Sequence, residues 1–274
     1  MYSVSKLLAI FIVLTGGTLA YASSADLWVC ADRSNLPYSN EQGQGFENKL
    51  AEMVSHDLGR TLHYVWWPAS PTFARKVFRR GACNVIMSVP SKGYDLAEPT
   101  DPYYTSSFVF VTRRASNLQI HSFDDSALRS VRIGLPVVDD GVTPAAQELA
   151  KRGLIRNVVG YNPFSNLAQQ NQPAELIKAV ARGDIDVGIA WGPVAGYFAQ
   201  QTTVPLSLIP ICTGNDPGAL PQVFQISIGV RKGEEYLRAQ LNIELARRRN
   251  QIRKLLVSYG VPMLQEASVS KLCQ

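Results

Sequence analysis

Residues 184–198, DIDVGIAWGPVAGYF, decide how the chain is read. A short apolar run leaves the Gly183-Asp184 pair, reaches Ala190, and then sets Trp191 directly before Gly192-Pro193 and a second apolar stretch. A brief apolar run bounded by turn residues is the pattern of a buried strand, and Gly-Pro after it opens a helix with proline in its first turn. Trp191 then stands at the carboxyl end of a strand, where α/β sheets receive their ligands. What sits against that indole is the central question.

The same alternation continues on both sides. Upstream lie the helix PAELIKAVARG (173–183), the strand IRNVVGY (155–161), the helix TPAAQELAKRG (143–153) with Thr143 as cap and Pro144 at its first position, and the strand VRIGLPV (131–137). An earlier unit of the same kind starts at the strand LWVCA (27–31). In FENKLAEMVSHDLG (46–59), Phe46, Leu50, Met53, Val54 and Leu58 form one helical stripe that stops at Gly59. The strand TLHYVWW (61–67) ends at Pro68. The helix PTFARKVFRRG (71–81) carries Phe73, Val77 and Phe78 on one side and Arg75, Lys76, Arg79 and Arg80 near its end, where cations suit the helix dipole. The strand CNVIMSV (83–89) closes the unit.

Two βαβαβ units in series, then a strand in FQISIGVRKG (224–233) and a helical tail marked by Leu237, Leu241, Leu245, Ile252, Leu255 and Leu256, predict an α/β chain of two lobes. Extended crossings near 103–114 and 204–224 join them. Lobe I is expected over 26–112 plus 222–274 and lobe II over 113–221, with a ligand cleft between the lobes.

Composition sets the outer limits. The 274 residues are 46% hydrophobic, enough for a sizeable core. Residues 1–22 read as a secretory signal: Lys6, the apolar LLAIFIVLTGGTLA (7–20), and the small-x-small site Ala20-Tyr21-Ala22. The unbroken apolar run is shorter than the ~20 residues of a membrane span, which favours a cleaved signal over an anchor. No later segment is long and apolar enough to cross a bilayer. Cleavage removes only Lys6 among charged residues, leaving 26 basic against 22 acidic, a net +4. That mild excess suits an acidic partner surface or a plain solvated face. Nucleic acid is not expected, because Arg79-Arg80, Arg113-Arg114 and Arg247-Arg248-Arg249 are scattered and lack interleaved aromatics.

Four cysteines, Cys30, Cys83, Cys212 and Cys273, favour two disulfides in an exported chain. Sequence permits three pairings. If the strands bearing Cys30 and Cys83 are parallel neighbours, those two meet, and Cys212 then pairs with Cys273. No metal site is expected: no cysteine pair is spaced C-x-x-C, and His56, His63 and His121 form no ligand spacing.

GFENKLAEMV, TDPYYTSSFVFVTRR and ARGDIDVGIAWGPVAGYF, in that order over nearly the whole mature chain, resemble the type II periplasmic solute-binding proteins of extracellular family 3. A narrower set is CADRSNLPYSNEQGQGFENKL, YVWWP, GACNVIMSVPSKGYD, TPAAQELA and AWGPVAGYF, with RRRNQIRKLLVSYGVP near the end. It resembles the MxaJ/XoxJ-type proteins encoded beside pyrroloquinoline-quinone (PQQ) methanol dehydrogenases. That resemblance implies a two-lobed type II periplasmic-binding-protein fold. It also implies a periplasmic accessory that assists assembly or activation of a PQQ-dependent methanol dehydrogenase, carrying no cofactor of its own.

Amino-acid binders of the wider family grip the ligand's carboxylate with an arginine before Pro-Tyr-Tyr and its ammonium with an aspartate before the Ser/Gly-Pro turn. Ungapped matching puts these positions near Gly93 and Tyr94, and on Trp191, so both charges are missing. Each charge-assisted bond contributes ~1.5–3 kcal/mol, and losing both costs several decades of affinity. Lys92 offers only a point charge in place of a bidentate fork. Trp66, Trp67, Tyr94, Tyr103 and Trp191 are instead expected to line the cleft, suiting a planar or apolar ligand or an inserted partner loop. Against this, Trp66 and Trp67 alternate across a strand, which places one in the core, and Trp191 has the alternative of packing on a lobe surface.

Asp139, in Asp139-Asp140-Gly141, is a candidate polar group at the cleft edge, with a solvated turn as the competing reading. Gly43-x-Gly45 has Asn48 where a dinucleotide fingerprint needs its third glycine. Asp95 and Glu98 read as loop charges. No G-x-S-x-G elbow or nucleophile and base set is present, and Asp139, Asp140 and Glu41 have no defined partner for acid–base work, so no catalytic residue is assigned. Three functions follow in order: the dehydrogenase accessory, the binding protein of an ABC importer for a small non-amino-acid solute, and an enzyme on the same scaffold.

Overall fold

The computed structural model describes residues 26–67, 74–137, 143–163, 172–211, 218 and 220–265. The expected signal segment, Asp139, Cys212 and Cys273 lie outside the described residues.

Strand β1 (Asp26–Ala31) leads into a small hairpin, β2 (Ser34–Asn35) with β3 (Ser39–Asn40). Helix α1 (Phe46–Asp57) follows, burying Phe46, Leu50 and Val54. Its cap is Gly45, where any Cβ would overlap the Tyr38 backbone. The Asn48 side-chain oxygen accepts from the Gly45 and Asn40 amides at 3.1 and 3.0 Å, tying the hairpin to the helix start. Next come β4 (Thr61–Trp66), β5 (Val85–Pro90), β6 (Glu98–Pro99) and the long β7 (Tyr104–Arg113).

The second unit holds β8 (Ile133–Pro136), α2 (Pro144–Lys151), β9 (Val158–Tyr161), α3 (Pro173–Arg182), β10 (Val187–Trp191), α4 (Gly192–Ala199) and β11 (Leu206–Pro210). The Thr143 side chain accepts from the Ala146 amide at 3.2 Å with Pro144 next in line, the cap the sequence predicts. Gly183 closes α3 at φ 85°, a conformation that suits glycine. The chain finishes with β12 (Val223–Val230), α5 (Glu235–Arg247) and α6 (Arg249–Ser258).

The sheet runs β4-β1-β5-β12-β7-β10-β8-β9. Within the first unit β4, β1 and β5 are parallel, and within the second β10, β8 and β9 are parallel. Strand β7 joins the two: residues 104–107 pair with β12, whereas 108–112 pair with β10. Separate cores flank that seam. One gathers Leu27, Phe46, Leu50, Ile228, Leu241 and Ile252, and two others gather Val109, Ile177 and Phe198, and Phe110, Ile133 and Ile189. The result is the two-lobed type II architecture expected from the sequence. Among the described residues no helix is long and apolar enough to cross a membrane.

The segment 259–264 straps the second lobe to the first. The Ser106 hydroxyl donates to the Pro262 carbonyl at 2.7 Å, the Leu264 amide donates to Thr105 at 2.9 Å, and Tyr259 stacks on Tyr197 of α4 at 5.8 Å.

Cys30 and Cys83 form a disulfide with Cα atoms 5.6 Å apart. In the ladder Cys30 stands level with Ile86, so the bond joins β1 to the segment leading into β5. Of the helix expected over 71–81, the described residues show one π-type turn, Ala74–Phe78, and residues 71–73 lie outside the described residues. Gly81, at φ 75°, ends the turn and sends the chain to Cys83, while Val77 and Phe78 are buried as expected.

Candidate functional site

Between the lobes lies a cavity of about 470 Å³, bounded by the ends of β1 and β5, the start of α1, the seam of β7 and the end of β10. A second space of about 260 Å³ continues into the other lobe, against Pro136, Tyr161, Pro173, Leu176 and Val194. Asn35, Tyr38, Phe108 and Trp191 face both. Trp191 is thus one of four side chains that form the wall shared by the two spaces.

Its position follows from the local sequence. Trp191 ends β10 and caps α4, and a Cβ at the next residue, Gly192, would press into Ser107, Ser106 and Pro262. The indole packs edge-on against Phe108 at 5.3 Å and Phe224 at 5.8 Å. The Tyr38 hydroxyl lies close to the indole N–H, which tempers the rise of its pKa. Burial pushes the Tyr38 phenol well above its ordinary range, so it stays neutral.

The other predicted cleft residues are placed elsewhere. Trp66 stacks on Tyr64 at 4.5 Å against the first-lobe core, and Trp67 is 41% exposed. Tyr94 packs beside the Cys30–Cys83 bridge. Tyr103 lines neither space, but its hydroxyl meets the Ser88 hydroxyl at 3.1 Å behind the wall of the larger one. Neither Gly93 nor Lys92 reaches either space.

The polar floor of the larger cavity comes from residues not singled out in the sequence. Asp32 follows β1, Glu47 lies in the first turn of α1, Ser88 in β5 and Tyr104 at the start of β7. Glu47 is buried, and desolvation, with a smaller push from the Asp32 charge, raises its carboxyl to about 7 against a favourable hydrogen bond from Ser88. Ser88 holds φ at 51° inside a strand, a strained conformation for a non-glycine residue of the sort that gathers at functional sites. Tyr104 is also kept neutral, chiefly by burial. No Lys, Arg or His lines either space among the described residues.

Glu47 sits one residue past the stripe position Phe46, where helical periodicity predicts a solvated side chain. The hairpin covering the helix start buries it, and no short-range pattern announces that. Among the described residues no group of three or more His, Cys, Asp or Glu side chains is placed to hold a metal.

No protein-family profile matches the chain. Protein MoxJ of Methylorubrum extorquens AM1 is 29% identical over 260 residues, covering 89% of this chain and 84% of that protein. The crystal structure of the periplasmic binding protein XoxJ from Methylobacterium extorquens AM1 is 33% identical, covers 88% of this chain and 100% of its own, and superposes with a TM-score of 0.71. MxaJ from Methlophaga aminisulfidivorans MPT is 27% identical, with 87% and 100% covered and a TM-score of 0.77.

Proposed function

The chain belongs to the MxaJ/XoxJ-type proteins built on the periplasmic-binding-protein fold, and we propose that it is a periplasmic, non-enzymatic accessory of methanol oxidation that binds a PQQ-dependent methanol dehydrogenase and assists its assembly or activation. In this reading lobe I (26–112 with 222–274) and lobe II (113–221) present a cleft that admits a segment of the immature dehydrogenase. The observation that supports it is the aromatic wall of Trp191, Phe108 and Phe224 along the cavity, with Trp191 at the position that ungapped matching gives to the ammonium-binding aspartate of amino-acid receptors. Aromatic side chains give large contact area at small entropic cost, which is why they anchor protein interfaces. The basic excess aids orientation on an acidic partner.

The test is biolayer binding of the mature, oxidised protein to its co-encoded dehydrogenase, apo and holo, at low and moderate salt. Saturable, salt-sensitive binding is expected. Absence of binding to both forms overturns the reading and favours the second one, the receptor of an importer for a small non-amino-acid solute. The larger cavity's 470 Å³ supports that alternative, because it falls within the ~300–1,000 Å³ of small-molecule sites.

A further inference from the structure

Helix α5 is apolar on two opposite sides. Leu237, Leu241 and Leu245 are buried in the first-lobe core. Tyr236, Ala239, Ile243 and Ala246 follow one another at intervals of three and four residues along the other side, and all four are exposed. Tyr236 at 68% and Ile243 at 65% are the two most exposed large apolar side chains among the described residues. Scattered exposed apolar residues are ordinary. An apolar stripe at helical spacing, on a helix whose inner face is already anchored, is the pattern of a helix that packs on both sides.

The stripe is complementary to itself. It alternates large and small residues, and in two antiparallel copies of α5 related by a two-fold axis level with Leu241, each large side chain meets an alanine. Tyr236 then lies level with the partner's Ala246, and Ala239 with the partner's Ile243. Layers that set a knob against a small residue let helices approach closely. A two-fold interface demands just this, one patch that fits its own copy.

Charge selects the same arrangement independently. Helix α5 begins with the exposed Glu235 and ends with Arg247, which is paired in its own chain with Asp57 and Glu244 yet keeps 53% of its side chain exposed. About the Leu241 axis, Glu235 lies level with the partner's Arg247, across a separation of about one helix diameter, ~10 Å. That is within the range of attraction at ordinary salt. Antiparallel helices also set opposite dipole ends together. The flanking Gln240 and Asn242 come level with each other and bring no like charges into contact. Parallel docking would instead place Tyr236 against Tyr236 and Arg247 against Arg247.

We infer that the outer face of α5 is an interaction surface for a second copy of this chain, the two helices antiparallel and centred on Leu241. Four apolar side chains from each copy make a small patch, whereas stable complexes bury about 800 Å² per partner. The dimer is therefore weak and forms at high concentration. The inference stands apart from dehydrogenase docking in the cleft, because no residue of α5 lines either inter-lobe space.

The experiment is sedimentation equilibrium of the mature, oxidised protein alone, from about 10 to about 500 μM, a range that brackets weak association. The weight-average mass should climb from monomer towards dimer. Ile243→Lys and Ala239→Glu, both at exposed positions where the fold tolerates change, should each weaken the dimer at least about tenfold. An equimolar mixture of the two variants should regain association, because one Glu–Lys pair and one native Ile–Ala contact then meet across the axis. A protein monomeric throughout, a dimer that Ile243→Lys leaves intact, or a mixture no more associated than either variant alone overturns the inference. So does a monomeric parent whose dehydrogenase binding falls with Ile243→Lys, since the stripe would then face that enzyme.

Discussion

Trp191 stands directly opposite Phe108 in the antiparallel β7–β10 ladder, their rings 5.3 Å apart and inclined at 63°. Phe108 is also where β7 changes partners, since residue 107 still pairs with β12 and residue 108 with β10. The indole is thus fixed by backbone register at the seam between the lobes.

Trp191→Ala opens the wall shared by the two spaces and removes a half-buried side chain from the edge of the first-lobe core, leaving the fully buried core residues in place. The expected result is at least a tenfold loss of dehydrogenase binding and of enzyme activation, as for an aromatic anchor at the centre of an interface, with the fold retained. Trp191→Phe should keep most of the contact. Titration of both variants against the dehydrogenase checks this, and unchanged binding and activation by Trp191→Ala would remove the cleft from the proposed function.

Glu47 gives stability a pH dependence whose sign is fixed. Its folded carboxyl is raised from 4.5 to about 7, so between those values the folded state holds a proton that the unfolded state has lost. Stability therefore falls as pH rises through this window, by up to ~3 kcal/mol for a shift of this size. Glu47→Gln, which cannot ionise, should unfold like the parent at pH 4 and be more stable at pH 8. Urea unfolding at both pH values checks it, and a variant equally or less stable at pH 8 would show that Glu47 is not desolvated as described.

Much of this architecture is legible before any coordinates. Thr143-Pro144 at the start of α2, Gly183 at the end of α3 and Gly-Pro after Trp191 are local signals that obey local physics. The cleft lining is not local. Trp66 lies on β4, the outermost strand, while the cavity opens beyond β1 and β5, so an aromatic predicted from strand content is too far out. Tyr103 and Tyr104 are neighbours, and successive residues of an extended chain face opposite ways, which puts Tyr104 in the cavity and Tyr103 behind it. Glu47, Ser88 and Tyr104 come from a helix, a strand and a crossing far apart in sequence. Only the assembled fold brings them together.

The Cys30–Cys83 bridge closes a loop of 53 residues, for which the chain-entropy relation gives ~4 kcal/mol. Cys30→Ser should cost ~2–5 kcal/mol, and Cys83→Ser a similar amount. Because the two act as one bond, the double variant should cost little more than either alone. Denaturant midpoints of the three variants, alongside the reduced parent, test this. Additive losses would show that the residues contribute separately and the bridge does not form.

Gly196, inside α4, faces Gly260 in the strap so closely that a Cβ would overlap the Gly260 carbonyl and crowd Pro262. Two effects oppose each other in Gly196→Ala. Alanine favours the helix by ~1 kcal/mol, whereas the overlap involves backbone on both sides, with no flexible side chain to yield, and overpacking costs ~1–3 kcal/mol or more. The second effect should win, lowering the thermal midpoint and loosening the strap, so that amide exchange at the Leu264 N–H, which bonds the Thr105 carbonyl, speeds up. Gly260→Ala should be worse, because that glycine also holds φ at 70°. A Gly196→Ala variant as stable as the parent, with unchanged exchange at Leu264, would mean that segment 259–264 does not bind the second lobe to the first.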